Sequence, residues 1–380
     1  MQLSTKLSEK KYDVVIVGGG IVGLASAYAA VKKGLSVALV ERESQNKDAS
    51  VRNFGFVTVS GQQRGEHWQR AMYSRNVWAE IAPKAGIDVE HSGLHMLMQR
   101  PEAMDVAEAF LQTEMGESCR LLTQSEITEN LPYLKKGLGV LYSPHELRVE
   151  SKTAIGKLAN WLSQAHGVDF YNKTTVHSIE LPMVHTSRGT LHAEHCVVCP
   201  GTDLHSLYPE TLAQAKAKLC TLNMMRVMPK KAFKLNAAVM SDLSFARYDG
   251  FAQLPEAQRL TSLLDNIQSA ERKAGVHLIV VQSADGSLIV GDSHDYSDRE
   301  LPFRDVRIDD LIMNEFDQMM DIGECDITQH WLGVYPSGEE VVFKASPEKG
   351  VVVGSITSGT GASTGFAFGE ELIHLVLESK

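Results

Sequence analysis

The first apolar run of the chain, Val14-Val15-Ile16-Val17, is continuous and bounded by Asp13 and a group of glycines. A short unbroken run closed by turn signals reads as a buried strand. An alanine-rich stretch from Ile21 to Lys33 follows and reads as a helix, stopped by Gly34. Ser36 to Val40 is then the next strand. Between the first strand and the helix stands Gly18-x-Gly20-x-x-Gly23. Gly18 permits a tight turn, Gly20 lets the backbone approach a pyrophosphate, and Gly23 lets helix and strand pack closely. The phosphates would meet the helix N-terminus at Ile21 and Val22, where free N–H groups and the helix dipole favour negative charge. Glu41, followed by Arg42, ends the second strand about twenty residues on, placed to accept hydrogen bonds from a ribose diol. A carboxylate there would repel a 2′-phosphate, which disfavours NADP. This unit predicts a dinucleotide site and does not by itself separate FAD from NAD.

Further along, Ser178 to Val198 holds two strand-like runs around a turn near Ser187-Arg188-Gly189. The second run ends in Cys196-Val197-Val198-Cys199-Pro200-Gly201-Thr202, a buried strand leading into a glycine turn. Val351-Val352-Val353-Gly354 is another strand, leading into Gly359-Thr360-Gly361-Ala362-Ser363-Thr364-Gly365 and a helix from Phe366 to Leu377. Such an approach to a helix can aim N–H donors at an electron-rich group. Gly93 to Met98, Val276 to Gln282 and Ser287 to Gly291 read as strands, the last two joined by a hairpin turn at Asp285-Gly286. Leu260 to Lys273 and Ile308 to Met320 read as amphipathic helices, with a helix expected before Trp331. The first ten residues are polar and expected to be disordered. Repeats and low-complexity linkers are not evident.

Composition narrows the classes. The 380 residues carry 37 Lys and Arg against 47 Asp and Glu, a net charge of −10. That balance disfavours a broad nucleic-acid or anionic-membrane surface and leaves room for a small cationic pocket. With 43% hydrophobic and 22% charged residues the chain is of ordinary globular composition, and its length suggests roughly two to three domain-sized units. Five cysteines do not suggest a disulfide scaffold, so a reducing cytoplasm is expected. Val14 to Val31 is uncharged behind Lys6, Lys10 and Lys11, as in a signal peptide or short span. Its central glycines, and the second apolar run just after Lys32-Lys33-Gly34, favour the dinucleotide reading.

Taken together, these segments resemble the D-amino-acid-oxidase-like family of FAD-dependent oxidoreductases, which includes glycine oxidase and sarcosine oxidase. The resemblance rests on the N-terminal fingerprint through Glu41, the Val198-to-Gly201 turn, Trp331-x-Gly333 and the Gly359–Glu370 segment. It implies an α/β fold: a Rossmann-like FAD-binding domain of residues 1–85, 145–220 and 325–380, and a mixed-sheet α+β substrate domain of residues 86–144 and 221–324. FAD would be held non-covalently. Besides the fingerprint, the implied cofactor residues are Ser50, Asn53, Phe54 and Gly55 in the loop after the second strand, Val176, Pro200, Gly201 and Gly333. At the C-terminal glycine segment they are Gly359, Thr360, Gly361, Ala362, Ser363 and Thr364, where a helix N-terminus would stabilise reduced flavin. Ala49-Ser50-Val51-Arg52-Asn53-Phe54-Gly55, Gly291-Asp292-Ser293-His294 and the Gly359–Thr364 run are also similar to a bacterial subfamily linked to aminophosphonate breakdown.

Flavin amine oxidation asks the protein to hold the substrate carbon at flavin N5, clamp the substrate anion and favour reduced flavin. Arg52 is one candidate clamp, through its bidentate fork, or else it pairs with FAD phosphate or a local carboxylate. His294 could complement a phosphonate, or it is a satisfied structural histidine; His277 is a weaker candidate. Tyr335 could orient the amine or pack as an aromatic. Ser363 stands where sarcosine-oxidising relatives carry a lysine, which weakens a sarcosine or glycine assignment. His192-x-x-His195-Cys196-x-x-Cys199, with His205 nearby, has zinc-like spacing, but residues 196 and 199 of one strand point to opposite faces, so no metal site is expected.

The expected activity is oxidation of a C–N bond in a small anionic amine by hydride transfer to flavin. 2-Aminoethylphosphonate or its N-methyl derivative would give phosphonoacetaldehyde and ammonia or methylamine, with oxygen or a carrier as electron acceptor. The alternatives are a D-amino-acid or 2-hydroxy-acid dehydrogenase of the same fold, and a non-catalytic FAD-binding subunit. Neither a nucleic-acid nor a membrane partner is expected, and oligomeric state is open.

Overall fold

A computed structural model describes residues 10–379. The expected disorder of the first ten residues falls, Lys10 aside, outside them.

The N-terminal apolar runs build a parallel sheet. Strand Lys11–Val17 lies between Gly189–Val198 and Val37–Val40, with Val15 opposite both Cys196 and Ala38. Val351–Ser358 extends the sheet beyond Gly189–Val198, and Asp169–Tyr171, a strand the sequence reading missed, extends it beyond Val37–Val40. Alternation along each strand sorts side chains to two faces. Val14, Ile16, Leu39, Val197 and Val352 share one buried cluster, while Val15, Ala38, Val40, Cys196 and Val353 share another. Cys196 and Cys199 lie in different clusters, on opposite faces of the sheet, as the strand parity predicts.

Two helices cover the first face, Ile21–Lys32 and Gly361–Glu378. The second begins five residues before the expected Phe366. The glycine segment is therefore its first turns, not a loop ahead of it. Glycine is needed there for close approach: a Cβ at Gly365 would lie 3.0 Å from Ile21 Cγ1, and one at Gly369 would lie 2.6 Å from the Ala25 carbonyl carbon.

The hairpin Val176–Glu180 and Met183–Thr186 pairs onto Gly189–Val198, and a second, mixed sheet runs in the order Phe56–Val57, Gly139–Val149, Val89–Met98, Ala238–Ser241, Ile279–Gln282, Leu288–Gly291, Lys218–Pro229 and Cys325–Glu348. Only the Ala238–Ser241 and Val89–Met98 pair is parallel among these. Cys325–Glu348 then pairs antiparallel with Val351–Ser358, so one strand joins the two sheets. Gly139–Val149 and Lys218–Pro229 run across the expected boundaries at residues 144 and 220.

Two expected elements are shorter than the pattern suggested. The Leu260–Lys273 helix is two helices, Ala257–Ile267 and Ser269–Ala274. It breaks at Gln268, whose side chain is drawn inward to Arg100 and to buried Glu315. The Val276–Gln282 strand begins only at Ile279, because Leu278 takes a left-handed φ of 43° that turns His277 out of the ladder. Among the described residues no helix is long and apolar enough to cross a membrane.

Candidate functional site

A cavity of about 430 Å³ runs from the N-terminus of the Ile21–Lys32 helix to the second sheet. That volume lies within the range of small-molecule sites, roughly 300–1,000 Å³. A smaller cavity of about 160 Å³ adjoins it, sharing Gly20, Ala49, Ser50, Cys199 and Gly201, and continues past Gly18, Glu41, Arg42, Val176 and Pro200. The pair forms one elongated site.

Its first end is built from backbone. Gly18 takes φ +105°, and a Cβ on Gly23 would lie 1.9 Å from the Gly18 oxygen, so neither position admits a side chain. The Ile21 N–H donates to Ser50 Oγ at 2.9 Å. The helix N-terminus leaves Val22 and Gly23 N–H without intrahelical partners, and both residues line the larger cavity. Glu41 Oε2 accepts the Gly19 N–H at 2.7 Å and Oε1 accepts the Glu43 N–H at 2.9 Å. These bonds fix the carboxylate at the wall of the smaller cavity, with lone pairs remaining for further donors. A Cβ on Gly19 would fall 2.9 Å from Glu41 Oε2, which accounts for the third consecutive glycine.

At the far end, ionisable side chains converge. Arg247, Tyr248, His277, Asp292, His294 and Tyr335 all line the larger cavity. Arg247 Nη2 donates to Tyr296 Oη at 2.7 Å. Burial alone would lower the Arg247 pKa, but Tyr296, Tyr335 and Asp292 hold it above its ordinary value, so the charge is secure. Asp292 is 5% exposed; burial would raise its carboxyl, yet His277, His294 and Arg247 keep it below the usual carboxylate range. His294 is pushed down to about 3, by burial first and Arg247 second, against the opposing pull of Asp292. Its Nδ1 lies 2.9 Å from the Gly275 oxygen.

The family model described as FAD dependent oxidoreductase matches residues 13–375. The chain belongs to that family. Among curated relatives, this oxidoreductase is 26% identical to a glycine oxidase of Bacillus licheniformis over 213 residues, 53% of this chain and 57% of that protein. It is 30% identical to a mitochondrial L-2-hydroxyglutarate dehydrogenase of Caenorhabditis elegans over 146 residues, 36% of this chain and 33% of that protein. The matches thus span little more than half the length of these relatives, or less. The structure superposes on glycine oxidase from Bacillus cereus with a TM-score of 0.76 at 19% identity, covering 97% and 96% of the two chains. It superposes on L-proline dehydrogenase from P. horikoshii with a TM-score of 0.77 at 18% identity, covering 98% and 94%.

The glycine turn, the Glu41 wall and the paired cavities fit FAD, the cofactor of this oxidoreductase family. Most expected cofactor residues line one or both cavities, including Asn53, Phe54, Gly333, Gly359, Thr360, Gly361, Ala362 and Ser363. Arg42 lines the smaller one and is paired with Asp203 at 2.7 Å. Two do not fit as expected. Thr364 is fully buried, its hydroxyl turned back on the Thr360 oxygen, and Gly55 is packed against the Val149 oxygen, where a Cβ would come within 1.8 Å. Both are supports of the loops that carry the site. Asn53 bridges its own loop, donating to the Ala49 oxygen and accepting from the Gly55 N–H.

Of the expected substrate groups, Tyr335 and His294 line the cavity together, with ring centres 6.4 Å apart. Burial, with Cys220 next, holds the Tyr335 phenol well above its ordinary pKa, so it stays protonated. The Ser363 hydroxyl accepts the Thr58 N–H at 2.8 Å. Arg52 lines the cavity, but its guanidinium donates to the Lys47 oxygen at 2.7 Å and pairs with Glu300 at 3.6 Å and Asp48 at 3.9 Å. Arg247 and Asp292 were not singled out from sequence. Asp292 sits inside the Gly291-Asp292-Ser293-His294 segment, whereas Arg247 has no motif around it. Just after it, the Gly250 N–H donates to the oxygen of Gly61, another residue of the cavity wall, at 2.9 Å.

Among the described residues, His277, Asp292 and His294 are the one group of three or more His, Cys, Asp or Glu side chains whose ligand-type atoms lie within 4.8 Å of one another. The neighbouring Arg247 charge disfavours a cation there.

Proposed function

We propose that this oxidoreductase oxidises the C–N bond of a small amine that also carries an acid group, with bound FAD accepting the hydride. The observation that carries this reading is the pairing of opposite chemistries in one cavity. Arg247 offers a fixed cation, while Asp292 and His294 offer acceptors suited to an amine. Arg247, rather than Arg52, holds the anion, because the Arg52 guanidinium is already engaged by Lys47, Asp48 and Glu300. Tyr335 and Tyr248 complete the wall around the substrate.

Within that class the substrate is an aminophosphonate, 2-aminoethylphosphonate or its N-methyl derivative, and the enzyme acts in the cytoplasm. A phosphonate suits a guanidinium fork in a pocket that has serine at position 363 in place of a second cation. The partial match to L-2-hydroxyglutarate dehydrogenases supports a second reading, oxidation of a 2-hydroxy acid, which the same cation and acceptors could serve. Product analysis separates them. The holoenzyme incubated with each compound should release phosphonoacetaldehyde, trapped as a hydrazone, with ammonia or methylamine in equal amount. Formation of a 2-oxo acid from a 2-hydroxy acid, with no amine released from either aminophosphonate, would overturn the first reading.

A further inference from the structure

Asp292 and His294 present two acceptors to the same space. Gly275 offers only a carbonyl to His294 Nδ1, so the ring carries its hydrogen there and Nε2 bears a lone pair. Asp292 Oδ2 lies 4.0 Å from that Nε2. Asp292 Oδ1 lies 3.0 Å from His277 Nε2 but is not hydrogen-bonded to it, so His277 supports the carboxylate by proximity alone. His294 Nε2 and Asp292 Oδ2 are thus two neighbouring acceptors with no hydrogen between them. A gap of 4.0 Å is too wide for one shared hydrogen, and it suits a donor nitrogen bonded to both at about 2.8–3.0 Å.

We propose that His294 and Asp292 together receive the ammonium group of the bound substrate, and that His294 Nε2 takes its proton once the substrate anion has neutralised Arg247. The inference rests on the anionic-amine reading above. Hydride can leave the carbon only when nitrogen has a free lone pair, yet aliphatic amines are mostly ammonium near neutral pH. In the step proposed, an N–H bond breaks and its electron pair stays on nitrogen. The proton moves to Nε2, giving an imidazolium hydrogen-bonded through Nδ1 to the Gly275 oxygen and charge-paired across 4.0 Å with Asp292 Oδ2. Nothing is oxidised or reduced.

The gate follows from the surrounding charges. Burial and the Arg247 guanidinium together keep His294 uncharged in the empty site. Burial remains when substrate binds, but an anion at Arg247 offsets the second effect, and Asp292 then favours the imidazolium. The other rings facing it are His277, stacked on it beside Asp292, and Tyr296 and Tyr335, whose phenols burial holds above their ordinary value and so uncharged. An amine without an acid group leaves Arg247 uncompensated and the base inactive. Recognition of the anion is thereby coupled to chemistry at the amine.

The test compares wild type with His294→Gln, and with Asp292→Asn should the first variant fail to fold. FAD-loaded protein is mixed anaerobically with 2-aminoethylphosphonate from about pH 6 to 9, and the limiting rate of flavin bleaching is followed. Wild type should give a nearly flat profile. The variant should rise about tenfold per pH unit, tracking the free amine of the substrate. As a readout independent of turnover, nitrogen NMR of a labelled analogue with no hydrogen on the amine-bearing carbon, (2-amino-2-methylpropyl)phosphonate, should show a neutral amine in wild type and an ammonium in the variant. Ethylamine should bleach wild type with a rising profile that added inorganic phosphite flattens. A flat variant profile, or an ammonium bound to wild type, would overturn the proposal while leaving the function intact. No bleaching of wild type by any anionic amine would overturn both.

Discussion

The guanidinium of Arg247 and the phenol of Tyr296 are joined by a 2.7 Å hydrogen bond at the wall of the larger cavity. That bond, with the Asp292 carboxylate near it, holds a half-buried cation charged and aimed, while Arg52 is tied to the loop that carries Glu300. Arg247→Met should raise KM for an anionic amine by about 10- to 100-fold, the loss expected for a charge-assisted hydrogen bond of roughly 1.5–3 kcal/mol. Arg52→Met should change KM only a few-fold. Steady-state kinetics on both variants decide it, and the reverse order would return the clamp to Arg52.

Glu41 holds the Gly19 turn through one carboxylate oxygen and the Glu43 N–H through the other. Glu41→Ala removes both bonds and the acceptors set beside the smaller cavity. FAD affinity should fall by about tenfold or more, since each such bond contributes roughly 1 kcal/mol or more. Titration of apoprotein with FAD, read by flavin fluorescence, measures it; unchanged affinity would mean that the ribose lies elsewhere.

Acid should destabilise the fold through neutral buried histidines. Burial first, with Arg70 next, pushes His67 down to about 4; burial lowers His91 to about 3 and His95 to about 4. Their folded pKa values lie below the unfolded value near 6.5, so as pH falls the unfolded chain takes up protons first. The stability they contribute is complete above about pH 6.5 and declines as pH falls toward about 4 and below. Thermal unfolding of His91→Gln against wild type should show a shallower loss over that range. A parallel loss would assign acid sensitivity to other groups.

Metal should be dispensable. Cys196 and Cys199 lie on opposite faces of the parallel sheet, and the His277, Asp292 and His294 corner stands beside Arg247. Exhaustive chelation should leave turnover and the flavin spectrum unchanged. Loss of activity restored by zinc or manganese would make that corner a metal centre.

The parts of this picture legible in sequence are the local ones. Gly18, Gly20, Gly23 and Glu41 act through contacts with neighbours in a single βαβ unit, so their spacing carries their meaning. Cys196 and Cys199 were correctly separated because strand parity is a property of the chain alone. The rest depends on distant partners. The break at Gln268 comes from Arg100 and Glu315, and the early start of the last helix comes from its packing on Ile21 and Ala25. Arg247 stands three residues before Gly250, whose bond to Gly61 spans 189 positions and is announced by no local pattern. Thr364 and Gly55 show the opposite error, since a motif marks the site's supports as readily as its lining.

The central claim is that this flavoprotein is reduced by an amine whose acid group sits at Arg247. The most direct measurement is an anaerobic titration of the purified holoenzyme with 2-aminoethylphosphonate and its N-methyl derivative, following the oxidised-flavin band. The account predicts stoichiometric bleaching by at least one of them at modest concentration, and far slower bleaching by ethylamine at the same concentration and neutral pH. A band that persists with both aminophosphonates and bleaches with L-2-hydroxyglutarate would contradict it.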